Sequence, residues 1–288
     1  MPLLQQTAPY PHWEFSDPAS GDVLRVVPER GGLISGWRCH GHEVVYLDLQ
    51  RFLDPEQSVR GGFPVLFPMT GGLPNNELPL PQGIFKLGQH GFARQLPWEL
   101  AALADGRGVQ LILRDTAESL EVYPFRFQLT MEVRLAPGAL EISATVENRD
   151  QAVMPFSFGL HPYFNLSSLE TVRFEGLPDQ CLNHLTMEKA ATADQMEQLA
   201  TGIDLLVEPT GPVRLVDETA GTTLELELTN PLDLVVLWTE PPRAMVCMEP
   251  WSAPRQALLS GDRKIELNPG DSTTLATRYR LTRAQSHD

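Results

Sequence analysis

An all-β protein, an antiparallel sandwich or barrel with few short helices, is the fold class this sequence predicts. Three observations predict it. Apolar and polar residues alternate with period two in segment after segment, the pattern of strands with one buried face. Helical periodicity is scarce. The 25 prolines and 22 glycines among 288 residues supply the many turns that such a fold requires.

Residues 33–37 and 44–47 read as short apolar strands joined through Cys39-His40-Gly41-His42-Glu43. That run has a metal-site look, but it is not HExxH and no second ligand pair follows at a structural-zinc spacing, so a hairpin turn is the better reading. Residues 70–89 form the longest stretch without clear periodicity and carry Gly71, Gly72, Pro74, Pro79, Pro81, Gly83 and Gly88. A long ordered loop of this kind is a candidate wall of a binding site. Residues 109–114, 127–135 and 139–147 are alternating strands, the last two separated by a tight hairpin at Ala136-Pro137-Gly138. Residues 187–200, with Ala190, Ala191, Ala193, Met196 and Leu199, predict a short helix. Strands at 222–229 and 273–281 follow, the second introduced by the turn Asn268-Pro269-Gly270-Asp271. With no repeat and no low-complexity linker, one domain over residues 1–288 is expected.

Hydrophobic residues make up 42% and charged residues 20%, as in a folded globular chain. A formal net charge of -15 argues against nucleic acid or an anionic membrane as the main partner. A phosphorylated metabolite could still bind, given a local arginine or lysine cluster. Cys39, Cys181 and Cys247 are sparse and odd in number, against a disulfide framework and in keeping with a reducing compartment. The N-terminus has no basic segment leading into a long apolar run, and no stretch of about 18 apolar residues occurs, so a cytoplasmic location is expected.

Three stretches carry candidate chemistry. Phe156 to Asn165 leads an apolar, aromatic strand into His161, and Pro162 then ends or bends it. An imidazole at a strand end, walled by Phe158, Tyr163 and Phe164, suits catalysis; a buried, hydrogen-bonded core histidine is the alternative. Gln89-His90-Gly91-Phe92-Ala93-Arg94 puts an imidazole and a guanidinium four residues apart, on the same face if the segment is extended. Arg60-Gly61-Gly62 adds a second arginine beside backbone that a ligand can approach closely. Either arginine could instead be a structural ion pair. Met245 to Trp251 is an apolar run delivering Glu249, whose proton affinity burial beside Trp251 would raise; the structural alternative is a pair with Arg255. A P-loop is excluded after Thr70-Gly71-Gly72, and no G-x-S-x-G elbow surrounds Ser157.

Together, Arg60-Gly61-Gly62-Phe63-Pro64-Val65-Leu66-Phe67-Pro68, Gln89-His90-Gly91-Phe92-Ala93-Arg94, His161-Pro162-Tyr163-Phe164-Asn165 and Glu249-Pro250-Trp251 resemble the aldose 1-epimerase (galactose mutarotase-like) family over nearly the whole chain. The combination is specific where each piece alone is weak, and the HGFAR segment looks most like the branch with glucose-6-phosphate 1-epimerases. The resemblance implies a large antiparallel β-sandwich of the galactose mutarotase-like type, with a sugar cleft on one sheet. It also implies interconversion of α and β anomers without metal or cofactor. Carried over, Glu249 is the general base on the C1 hydroxyl, His161 the general acid at the ring oxygen, and His90 a stabilising hydrogen-bond donor. Arg60, Arg94 and Gln89 match sugar- or phosphate-contacting positions, and Asp204 matches a further acidic sugar ligand. Two departures stand out: Leu205 and Leu206 follow Asp204 where the family commonly has arginine and an aromatic, and Leu66-Phe67-Pro68-Met69 replaces the phosphate branch's usual run.

The expected partner is a small sugar or sugar phosphate. A non-catalytic carbohydrate-binding protein on the same scaffold is the competing class, against which the His161–Glu249 acid–base pair argues. A glycosidase with two carboxylates, Asp204 and Glu249, leaves His161 without a role.

Overall fold

The computed structural model describes residues 3–283 and bears out the all-β expectation. Two sheets of eight strands form the body. The first runs through Val172–Glu175, Val213–Asp217, Thr222–Leu228, Ser272–Arg283, Ala139–Asn148, Phe127–Ala136, Gly108–Arg114 and Glu99–Ala102. Through the middle of its long central strands, buried residues alternate with partly exposed ones, as their sequence alternation requires. The second sheet carries Glu188–Ala191, Gln180–Asn183, Asp204–Val207, Leu234–Trp238, Met245–Trp251, Gly159–Leu160 and Val65–Leu66, with Tyr163–Asn165 also paired to Met245–Trp251. A five-stranded sheet from Leu4–Gln6 to His42–Glu43 adds Phe15, Leu24, Val26, Ile34 and Trp37 to the core.

The two large sheets pack through one apolar core. Leu129, Met131, Val133, Ile142, Ala144 and Leu275 of the first meet Leu205, Val235, Leu237, Val246 and Met248 of the second. Because side chains alternate along a strand, the odd-numbered residues of Met245–Trp251 point the other way. The Tyr279 hydroxyl donates to the Met248 carbonyl at 2.9 Å and ties that strand from behind. Such a buried bond is worth about 1 kcal/mol, and it fixes the height of the strand above the core.

Three expectations need correction. Residues 187–200 are not one helix: Glu188–Ala191 is a strand paired with Gln180–Asn183, and only Thr192–Met196 is helical. Ladder bonds to a neighbouring strand override the helix propensity of the alanines. Residues 70–89 are not an unbroken loop, since Glu77–Leu80 and Gly83–Lys86 form a two-stranded hairpin within them. Residues 44–47 give only isolated bridges, Val45 to Phe164 and Leu47 to Gly61, whereas Leu33–Cys39 is a full strand.

Candidate active site

The outer face of the second large sheet is the floor of a cavity of about 310 Å³. Strand alternation puts Glu249 and Trp251 on this face, beside Val236 and Trp238 of the neighbouring strand and Asp204 of the next. His161 follows the short strand Gly159–Leu160, and its backbone N–H donates to the Pro64 carbonyl at 2.9 Å. All the residues singled out in the sequence, Arg60, Gln89, His90, Arg94, His161, Asp204 and Glu249, line this one cavity. A larger depression of about 510 Å³ adjoins it and shares Ser58, Arg94, His161 and Tyr163, but neither Glu249 nor Asp204 lines it.

His161 Nε2 lies 3.3 Å from Glu249 Oε1, and the Trp251 indole N–H donates to Glu249 Oε2 at 3.0 Å. The imidazole stacks on Tyr163 at 4.9 Å and 15° and meets the edge of Trp238. Glu249 is 1% exposed, and burial drives its proton affinity well above the usual carboxylate range, with Asp204 adding to the effect. Burial, reinforced by Arg94, pushes the His161 imidazole down to about 3. Each group is thus driven toward its neutral form. In that form the pair would share one proton, and burial opposes both losing it and gaining a second.

His90 and Arg94 reach the cavity by a turn and not along an extended strand. His90 and Gly91 have φ of 64° and 67°, the left-handed region. A Cβ on Gly91 would sit 2.2 Å from the Phe67 carbonyl oxygen, so this turn requires glycine. The Gly71 backbone N–H donates to His90 Nδ1 at 3.1 Å, which leaves the hydrogen on Nε2; the Gln89 side-chain amide, 3.2 Å away, can accept from it only through its oxygen. Burial lowers the His90 proton affinity well below normal, so a neutral N–H donor faces the site. The two predicted arginines differ. Arg60 is engaged, donating to Glu240 at 3.2 Å and to Ser58 at 3.2 Å and lying 5.9 Å over the Trp238 ring. Arg94 donates to the Gln89 carbonyl at 3.0 Å and, among the described residues, has no carboxylate partner.

Asp204 accepts from His184 Nδ1 at 2.8 Å and from Arg255 Nη2 at 2.7 Å. Burial works to raise its proton affinity, but these two partners outweigh it and hold the carboxyl below its usual range. The expected Glu249–Arg255 alternative is therefore not realised: Arg255 pairs with Asp204, and Glu249 has the indole and imidazole instead. Sequence reasoning missed His184 altogether. Asn183-His184-Leu185 matches no motif, and only its place after the strand Gln180–Asn183 brings it beside Asp204.

A model of the family described as aldose 1-epimerase matches residues 20–280, nearly the whole chain. The chain belongs to the aldose 1-epimerase family. Two relatives share the name "Putative glucose-6-phosphate 1-epimerase". The one from Cenchrus ciliaris is 32% identical over 51% of this chain and 45% of its own length. The one from Salmonella typhimurium is 25% identical over 72% of this chain and 65% of its own length. The chain thus spans about half to two thirds of these relatives. A crystal structure of a protein from Synechocystis is 30% identical, covering 98% of this chain and 100% of that one at a TM-score of 0.91. A galactose mutarotase related enzyme from Lactobacillus acidophilus, at 22% identity, has the same fold at a TM-score of 0.76 over 95% of this chain and 98% of its own.

Among the described residues of this aldose 1-epimerase family member, two clusters place metal-ligating groups within 4.8 Å of one another: His161, Glu249 and the fully buried Cys247, and Asp22, Cys39 and His40 at the hairpin after Leu33–Cys39. In the first, burial and the Glu249 charge hold the Cys247 thiol well above its normal range. In the second, Asp22 accepts from the His40 backbone N–H at 3.0 Å and from the Cys39 thiol at 3.5 Å. Burial beside Asp22 pushes that thiol up to about 12. Both thiols are held in the neutral form, and the hairpin cluster is a turn whose donors Asp22 satisfies. No helix among the described residues is long and apolar enough to cross a membrane.

Proposed function

We propose that this protein interconverts the α and β anomers of an aldose or aldose 6-phosphate by acid–base ring opening and reclosure. The observation that carries this reading is the His161–Glu249 contact, an imidazole 3.3 Å from a buried carboxyl on the floor of a sugar-sized cavity. About 310 Å³ lies at the lower end of small-molecule sites, roughly 300–1,000 Å³.

Opening a hemiacetal needs a base on the anomeric hydroxyl and an acid on the ring oxygen. With its proton on His161, the pair has both: the Glu249 carboxylate takes the C1–OH proton as His161 Nε2–H delivers one to the ring oxygen. The C1–O5 bond breaks to give the aldehyde, which rotates about C1–C2. Reclosure on the other face returns both protons. The pair ends as it began, so the cycle is balanced. Burial opposes charge separation within the pair, and a sugar hydroxyl entering between the groups supplies the hydrogen bonds that offset it. The neutral His90 Nε2–H donates to the ring oxygen or an adjacent hydroxyl, and the ionised Asp204 accepts from sugar hydroxyls. Positioned acid–base groups contribute about 10² to 10⁴-fold per transfer.

For the substrate, Arg94 supports an anionic sugar, since a half-buried guanidinium lacking a carboxylate partner leaves donors for phosphate. Arg60 and Gln89 take the supporting contacts. The test compares exchange of D-glucose, D-galactose and D-glucose 6-phosphate with buffer alone, by polarimetry or NMR exchange. A folded protein that binds these sugars without accelerating exchange refutes catalysis and leaves a carbohydrate-binding protein.

A further inference from the structure

We infer that His184 is a positioning residue for this site, one imidazole that sets both the Asp204 carboxylate and the Trp251 indole that holds Glu249. The inference rests on the proposed anomer exchange for its kinetic readouts but on geometry for its content. Nδ1 lies 2.8 Å from Asp204 Oδ1, and the His184 backbone N–H donates to the Asp204 carbonyl at 2.8 Å, so ring and chain both register this residue against the start of strand Asp204–Val207. The ring stacks on Trp251 at 5.9 Å and 29°. Trp251 in turn donates to Glu249.

An ionised carboxylate only accepts, so the hydrogen must be on Nδ1. His184 Nε2 is then a buried nitrogen with no partner among the described residues. An apolar side chain would fill the same volume without burying an unpaired nitrogen, so volume alone does not account for a histidine whose Nδ1 is bonded to Asp204. The unpaired Nε2 is tolerated because Nδ1–H is needed where it is. It keeps one lone pair of Asp204 occupied, while Arg255 occupies the other oxygen at 2.7 Å, so the carboxylate cannot rotate. The charged and titratable groups facing Asp204 are His184 and Arg255 by direct bonds, with Glu249, His161 and Cys247 across the cavity responding to its charge. Fixing Asp204 therefore also fixes part of the field at the acid–base pair.

Two variants separate the functions of the ring. His184→Phe keeps the stack on Trp251 and removes the donor. Asp204 then gains protons more readily, so the acid limb of kcat/KM moves to higher pH and KM rises on the order of tenfold, the loss of one hydrogen bond to a charged group. His184→Asn places an amide N–H near the Nδ1 position and removes most of the stack, so the acid limb stays and kcat falls. Both are measured at matched folded fraction with D-glucose 6-phosphate and D-glucose. If the Phe variant keeps the wild-type KM and acid limb, or the Asn variant keeps the wild-type kcat, the inference is overturned. If the Phe variant does not fold, the Asn variant decides by the same criterion. If the wild-type protein exchanges neither sugar, the functional reading fails by itself. The limb is then read from the pH dependence of D-glucose binding by calorimetry, where an unmoved limb in His184→Phe overturns the inference.

Discussion

Glu249→Gln changes one oxygen to an amide nitrogen inside a fully buried side chain, and the structure sets two opposite consequences. The glutamine keeps an oxygen for the Trp251 indole N–H, at 3.0 Å in the native protein, and its amide N–H can donate to His161 Nε2, at 3.3 Å. Shape and hydrogen bonds are preserved while the base is lost. Exchange should fall by about 10² to 10⁴-fold, a barrier increase of roughly 3–5 kcal/mol. Stability should move the other way. The carboxyl binds its proton more tightly folded than unfolded, where its ordinary value is 4.5. As pH rises above that value, unfolding releases the proton and the native state loses ground until pH passes the folded value. Each unit between the two values costs the wild type about 1.4 kcal/mol, and the glutamine variant escapes this loss. Polarimetric exchange at pH 7, with denaturant melts at pH 5 and pH 8, tests both. The variant should be nearly inactive, and its stability advantage should grow from pH 5 to pH 8. More than about a tenth of wild-type exchange would remove Glu249 as the base. A difference in stability that does not depend on pH would remove the buried, proton-retaining carboxyl.

Further outcomes follow from the same geometry. Arg94→Ala should raise KM for D-glucose 6-phosphate about tenfold or more and for D-glucose much less, whereas Arg60→Ala, already bonded to Glu240 and Ser58, should affect both sugars alike; equal losses for Arg94→Ala would make it structural. The acid limb of kcat/KM should lie well below the free-histidine value of 6.5, because His161 is pushed to about 3 and Asp204 is held low; a limb near 6.5 in a pH series contradicts the buried pair. Gly91→Ala forces a Cβ to 2.2 Å from the Phe67 carbonyl in a left-handed turn, which should cost at least about 1–3 kcal/mol by thermal or denaturant melt and disorder His90; an unchanged melt would mean the turn is not rigid.

The long strands were legible because one face of each is partly exposed: residues 129–135 and 275–281 alternate in burial residue by residue. Glu249 and His161 were legible for a related reason, a charged or titratable residue inside an apolar run having few bland explanations. What the sequence hid is what depends on separate segments meeting. Arg255 lies close to Glu249 in sequence but bonds Asp204, because the turn after Trp251 carries its guanidinium across the cavity. His184 has no local signal, since its partners Asp204 and Trp251 come from other strands. The helix expected over 187–200 failed where Ala190 and Ala191 found strand partners in Cys181 and Gln180. Even spacing of His90 and Arg94 gave the right cavity through the wrong backbone, as φ at His90 shows.

The acid–base pair and the arginines sit on different kinds of scaffold. Glu249 lies within a central strand tied on both sides and pinned by Tyr279, and His161 is tied to Pro64 by its backbone. Arg60, Arg94 and Arg255 all lie outside the strands, on connecting segments. Such segments tolerate insertion and replacement far better than sheet interiors do. On the proposed function, selectivity for one sugar over another could therefore drift, or be re-engineered by loop exchange, while the His161–Glu249 pair stays in place. A library confined to residues 55–60 with Gln89, Arg94 and Gln95, sparing His90 and Gly91, would explore substrate preference and leave the His161–Glu249 pair untouched.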